Sequence, residues 1–120
     1  MLGVGRVLGL LTVAFILGIG QLFFKIAAGR LVVGRGLAAL AWSMVGWPMA
    51  TVLTLYAIAT VLWVYLLHGL PLSRAYPFIA LVFAFVPLLS CIVFRDSLDL
   101  RYGIGLVLMV AGLYLIASTR

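Results

Sequence analysis

Gln21 and Lys25 place an amide and an ammonium four positions apart inside an apolar segment whose only other polar side chain is Thr12. At about 100° per residue the two share one helix face, and Ala14, Gly18 and Ala28 keep the rest of that face small. No carboxylate is near in sequence, because both acids of the chain, Asp96 and Asp99, fall in one distant loop. An ionisable group inside a membrane span is costly and marks a functional site by default. The chemistry that suits an uncompensated ammonium beside an amide is recognition of an anion, a phosphate above all. Two accounts of Lys25 stand at this point: contact with a phosphate, or snorkelling to the headgroups, since it lies about one turn from the end of its segment. Gln21 is less able to snorkel, which leaves an interhelical hydrogen bond or contact with a ligand.

The elements that carry these residues follow from composition. Of the 120 residues 68% are hydrophobic and 8% charged, with a mean hydropathy of +1.39, against about 25% charged in a soluble domain. The chain is therefore an all-α membrane protein, with room for four transmembrane helices of roughly 20 residues in one domain. The spans are expected at residues 7–28, 46–67, 74–94 and 100–117. The uncharged run from Gly36 to Leu67 is too long for one untilted helix, so residues 37–44, with Trp42, are expected to lie separately in the interface. Arg6 alone precedes the first apolar run, and no small-residue cleavage pattern follows it, so that span is expected to be retained.

Turn chemistry sets the connections. Gly29-Arg30 ends the first span, Pro48 suits the first turn of the second, and His68-Gly69-Leu70-Pro71 makes a tight turn. Pro77 falls in the first turn of the third span. Pro87 falls near its middle, where it removes a backbone hydrogen bond and is expected to kink the helix and serve as its hinge. Asp99 is placed to cap the fourth span. In that span Gly105, Leu108 and Gly112 form a small-residue face, suited to close helix packing either within the chain or between subunits.

Other polar and aromatic residues have two readings each. Arg74 either reaches a headgroup phosphate or anchors its span, and Tyr76 either hydrogen-bonds a ligand or sits in the aromatic belt. Trp47, Tyr56, Trp63 and Tyr65 read as packing or belt residues, and His68 as an interfacial residue. Cys91, alone within a span, reads as a core residue. No metal-ligand cluster, nucleophile with a base, carboxylate pair or Gly-rich cofactor loop is legible, so no enzyme activity, metal or cofactor is expected. The net charge of +6 suits an anionic amphiphile whose tail stays in lipid. No nucleic-acid partner is expected, because the cations are dispersed around membrane spans. Arg30, Arg35, Arg95 and Arg101 lie on one side, and Arg6, Arg74 and Arg120 on the other. This slightly favours both termini outside the cytoplasm, a bias as small as that of dual-topology proteins.

Three stretches carry a family resemblance. Gly20-Gln21-Leu22-Phe23-Phe24-Lys25-Ile26-Ala27, Pro71 with Ala75-Tyr76-Pro77, and the Gly105/Gly112 pattern ending in Ala117-Ser118-Thr119 resemble the small four-helix branch of the drug/metabolite transporter superfamily. Within it they are similar to the paired small subunits of the aminoarabinose-phosphoundecaprenol flippase. The resemblance implies a bundle like that of the small multidrug exporters, a homodimer or a heterodimer with a paralogous four-helix subunit, and a place in the bacterial inner membrane. It also implies transport by alternating access of an anionic lipid-linked sugar, with Lys25, Gln21, Tyr76 and Arg74 as candidate ligands, although the family's members similar to this chain carry no cation at the position of Arg74.

The multidrug branch itself carries a buried Glu where this chain has Leu17, and a Trp where it has Ile79. Proton-coupled cation export needs a carboxylate that binds either proton or cation, so the family's antiport mechanism does not fit. The alternatives are a cation exporter with an altered coupling site, and a non-transporting membrane scaffold for a glycosyltransferase.

Overall fold

Lipid offers no hydrogen-bond partners to a bare backbone, so apolar stretches of this length must satisfy their own N–H and C=O groups as helices. The computed structural model describes residues 3–118, which leaves Thr119 and Arg120 outside the described residues. The regular elements described are all helices: α1 (Val4–Ala28), α2 (Leu37–Ser43), α3 (Trp47–Leu67), α4 (Leu72–Ile79), α5 (Val82–Val93) and α6 (Leu100–Ala117). Four segments are long and apolar enough to cross a membrane: α1, α3, α4 with α5 taken as one segment, and α6. The 25 residues of α1 span about 37 Å, more than a hydrocarbon core of about 30 Å. Its ends therefore reach the headgroups.

The short helix α2 buries none of its residues, and Trp42 is exposed on it. It is tied to the end of α1 through Ser43, whose hydroxyl accepts from the Val32 amide at 3.0 Å and donates to the Leu40 carbonyl at 2.7 Å. Pro48 lies in the first turn of α3, where a missing N–H costs nothing. At the other end of α3, Gly69 takes φ +73, a conformation that disfavours any residue with a Cβ. Arg6 Nη2 donates to the His68 carbonyl at 3.2 Å and so fastens this turn to the start of α1.

Span 3 is interrupted at Ala80–Leu81, between its two prolines. There the Leu81 and Phe83 amides bond three residues back, to Phe78 and Ala80, and α4 gives way to α5. Pro77 lies inside α4 and Pro87 inside α5. The irregularity thus falls ahead of Pro87, where the sequence pattern had placed it, because two proline sites flank the few residues between them and the helix yields there.

Asp99 caps α6, its Oδ1 accepting from the Tyr102 amide at 2.8 Å. Asp99→Ala is expected to cost about 0.5–2 kcal/mol, the usual worth of an N-cap. Denaturation in mixed micelles, followed by circular dichroism, measures it.

The core is built by α1, α3 and the start of α4 around Leu10, Val13, Ala59, Leu66, Leu70 and Ala75, with Leu17 and Ile79 packed against it. Close approach depends on Gly9, where a Cβ would stand 2.7 Å from Leu66 Cδ2. By contrast α6 packs on α4 and α5 and buries none of its residues. Its Gly105 and Gly112 have nothing described within 4 Å of a Cβ position, and Leu108 is exposed. This removes the within-chain reading of that small-residue face. The molecule measures 53 × 38 × 21 Å, a slab about two helix diameters thick.

Candidate functional site

The polar site forms where α1 and α3 meet near the end of α1. Gly20 lets the Tyr56 ring lie against the helix backbone, since a Cβ there would stand 2.5 Å from Tyr56 Cε1. Phe24 meets the same ring edge-on, with centroids 5.4 Å apart at 86°. Held between them, the Tyr56 hydroxyl accepts from Gln21 Nε2 at 2.7 Å. The pair still has the Gln21 carbonyl as acceptor and the Tyr56 O–H as donor for a ligand.

Lys25 lies one turn beyond Gln21, exposed and in the last turn of α1. Its ammonium forms no hydrogen bond or ion pair among the described residues. The carboxylates are engaged elsewhere: Asp96 accepts from the Ser90 hydroxyl, and Asp99 caps α6. The carbonyls that end α1 favour a cation at this position. Nearby Arg30 lies over the Trp47 ring at 5.3 Å, and Phe23 meets that ring edge-on. These contacts gather cationic and aromatic side chains at this end of the helix pair, with Lys25 one turn from the end of α1.

Arg74 and Tyr76 stand at the opposite end. The helices α1 and α3 run antiparallel, and the bond from Arg6 to His68 identifies the end from which α4 starts. Arg74 is exposed and forms no hydrogen bond or ion pair among the described residues. Tyr76 is exposed, its ring 6.5 Å from that of Trp63. From Arg6 to Lys25 the helix rises about 28 Å. The four candidate ligands are therefore divided between two membrane surfaces and do not share one cleft within the chain.

Between the two ends α1 is closed. Phe85 of α5 sits on Gly18, where a Cβ would stand 2.0 Å from its Cζ, and stacks on Phe15 with centroids 5.9 Å apart and planes within 4°. Ala14 and Gly18 are buried. The small face expected to continue from Gln21 and Lys25 is thus open only at Gln21, Lys25 and Ala28. Leu17, at the position of the multidrug branch's buried Glu, is partly buried and packs against the apolar core.

Tyr56 is the site residue that sequence reasoning missed, having been read as packing or belt. A usable signal existed: Gln21 and Tyr56 each lie about two to three turns from the same end of an antiparallel pair. Gly20→Ala is expected to displace the Tyr56 ring and break its bond to Gln21, at a cost of about 1–3 kcal/mol, the usual range for overpacking, which unfolding in mixed micelles measures. A Gly20→Ala, Tyr56→Leu double variant relieves the clash without restoring the bond, so it is expected to recover part of that stability.

No family model matches the chain, and no solved structure matches it. Curated relatives do. A protein of Enterobacter sp. (strain 638) is 35% identical over 73 residues, which cover 61% of this chain and 67% of that protein. One of Pseudomonas paraeruginosa is 36% identical over 109 residues, covering 89% of this chain and 92% of the relative. One of Pseudomonas aeruginosa is 35% identical over 112 residues, covering 92% and 95%. All three bear the name "Probable 4-amino-4-deoxy-L-arabinose-phosphoundecaprenol flippase subunit ArnE". Similarity at this level, running through nearly all of the Pseudomonas chains, means that the chain belongs to the ArnE family of flippase subunits.

Proposed function

We propose that the chain is a subunit of an inner-membrane flippase that carries a polyprenyl-phosphate-linked sugar, 4-amino-4-deoxy-L-arabinose-phosphoundecaprenol, between leaflets. The observation that carries this reading is the unpaired Lys25 ammonium one turn from the Gln21–Tyr56 pair. A phosphate takes the ammonium, and the polar groups of the sugar take the Gln21 carbonyl and the Tyr56 hydroxyl. The sugar's own amine is a donor, which suits the Gln21 carbonyl. Leu17 at the position of the multidrug branch's Glu leaves no carboxylate in α1 to exchange a proton for a cation, so the same site does not serve cation export.

A slab two helices thick does not enclose a polar path. A second four-helix subunit, a copy or a paralogue, supplies the other wall, and the face of Gly105, Leu108 and Gly112 is where the backbones approach. Lys25 receives the phosphate at one surface, and Arg74 and Tyr76 receive it at the other. Movement of α5 against α4 about the interruption at Ala80–Leu81 takes Phe85 off Gly18 and joins the two ends. The head crosses against side chains while the prenyl tail stays in lipid.

The test is reconstitution of the chain, alone and with its partner, in phosphatidylcholine–phosphatidylglycerol vesicles carrying the aminosugar lipid. A membrane-impermeant amine reagent then reports the accessible fraction. Translocation makes the whole pool reactive with time. A fraction that stays fixed at the outer-leaflet share, in both preparations, overturns the reading.

A further inference from the structure

A second binding feature lies outside the Gln21–Lys25 site. Between span 3 and α6 runs an open groove of about 220 Å3, walled by Pro77, Phe78 and Leu81 on one side and by Val110, Leu113 and Tyr114 on the other. Its lining is almost wholly apolar. Its position along the membrane normal is set by α4, which starts at the surface with Leu72 and runs inward. Arg74 and Pro77 are three residues apart and so share one face of α4, with Arg74 one turn nearer the surface. The groove's apolar walls thus begin one turn below a position on the same helix face that carries a guanidinium side chain.

That order, cation outside and apolar channel inside, is complementary to an amphiphile whose phosphate joins directly to a hydrocarbon chain. We infer that the groove between α4 and α6 seats the first isoprene units of a polyprenyl phosphate, with Arg74 paired to its phosphate. This deepens the proposed function and rests on it. The volume admits only the start of the chain, and the groove's open side lets the remainder lie in the bilayer. Arg74 is free to act, since it has no ion pair or hydrogen bond among the described residues, and a planar guanidinium grips a phosphate through two parallel hydrogen bonds. The wall contributed by α6 also gives that helix a role besides subunit contact: Tyr114 and Leu113 face the groove, whereas Gly105 and Gly112 stand in open space.

The experiment uses the full chain in phosphatidylcholine vesicles, with p-benzoyl-phenylalanine in place of Leu113 in the groove wall or of Val107, an exposed position outside it. The probe is undecaprenyl phosphate, with dioleoyl phosphatidate as competitor. The expected result is an undecaprenyl adduct at Leu113 at least five times that at Val107, resistant to a tenfold excess of phosphatidate and reduced several-fold by Arg74→Gln. Equal adducts at the two positions, or full competition by phosphatidate, overturn the inference in favour of an ordinary lipid seat. A cross-link to a second polypeptide in place of the lipid overturns it in favour of a subunit interface. The sugar-translocation assay is read separately. Translocation without a specific adduct removes the groove and leaves the flippase reading intact, whereas a specific adduct without translocation supports the groove and removes that reading.

Discussion

Replacing Lys25 by alanine is expected to slow translocation of the sugar lipid by about ten- to a hundredfold, the worth of one hydrogen-bonded charge lost from a phosphate. The helix should stay intact, because the Lys25 side chain contributes no hydrogen bond or ion pair to the described fold. Lys25→Arg keeps the charge and is expected to retain most of the rate. The measurement is the impermeant-reagent assay at matched protein levels, with circular dichroism to confirm folding. Equal rates for wild type and Lys25→Ala return the residue to snorkelling, which its place in the last turn of α1 also permits. Rising ionic strength should slow the wild type more than Lys25→Ala, since screening acts on the charge that only the wild type has.

The second large effect is structural. Gly18→Val puts a branched side chain where even a Cβ would lie 2.0, 2.4 and 2.9 Å from three atoms of the Phe85 ring. The ring is stacked on Phe15 and cannot withdraw without giving up that contact. Overpacking of this kind typically costs about 1–3 kcal/mol, and here it also pushes α5 from α1. Unfolding in mixed micelles should show the loss, and the Gly18→Val, Phe85→Ala double variant should recover part of it. A double variant no more stable than the sum of the singles would show that the two residues do not clash.

The number of membrane-crossing helices was legible because lipid imposes a length and an apolar composition on each of them. The cap at Asp99 was legible for a local reason: an acidic side chain just ahead of an apolar run has the N–H groups of the next turn within its reach. The family was legible in short stretches such as Gly20-Gln21 with Lys25, and the relatives agree with it.

What eluded the sequence was every question of which face meets which. In a soluble helix one apolar stripe records the core, but in α1, α3 and α6 nearly the whole circumference is apolar, so periodicity records little. What sets Tyr56 apart from Trp63 and Tyr65 is its ring lying against Gly20 and its bond to Gln21. Phe85 gave no sign that it would cover Gly18. The interruption in span 3 appeared at Ala80–Leu81, between the two proline sites, and not at Pro87 itself.

Amino-acid order alone determined where the chain crosses the membrane, where its turns fall, and that Lys25 has no acid near it in sequence. Those properties follow from hydropathy, backbone chemistry and charge, which act locally. The tertiary structure alone decided that Gln21 is bonded to Tyr56, that Lys25 and Arg74 lie at opposite ends of the helix pair, that Phe85 covers Gly18 between them, and that Gly105 and Gly112 have no neighbour against them among the described residues. Apolar side chains gain little from one another over lipid, so these choices rest on shape, on which side chain finds a glycine to lie against.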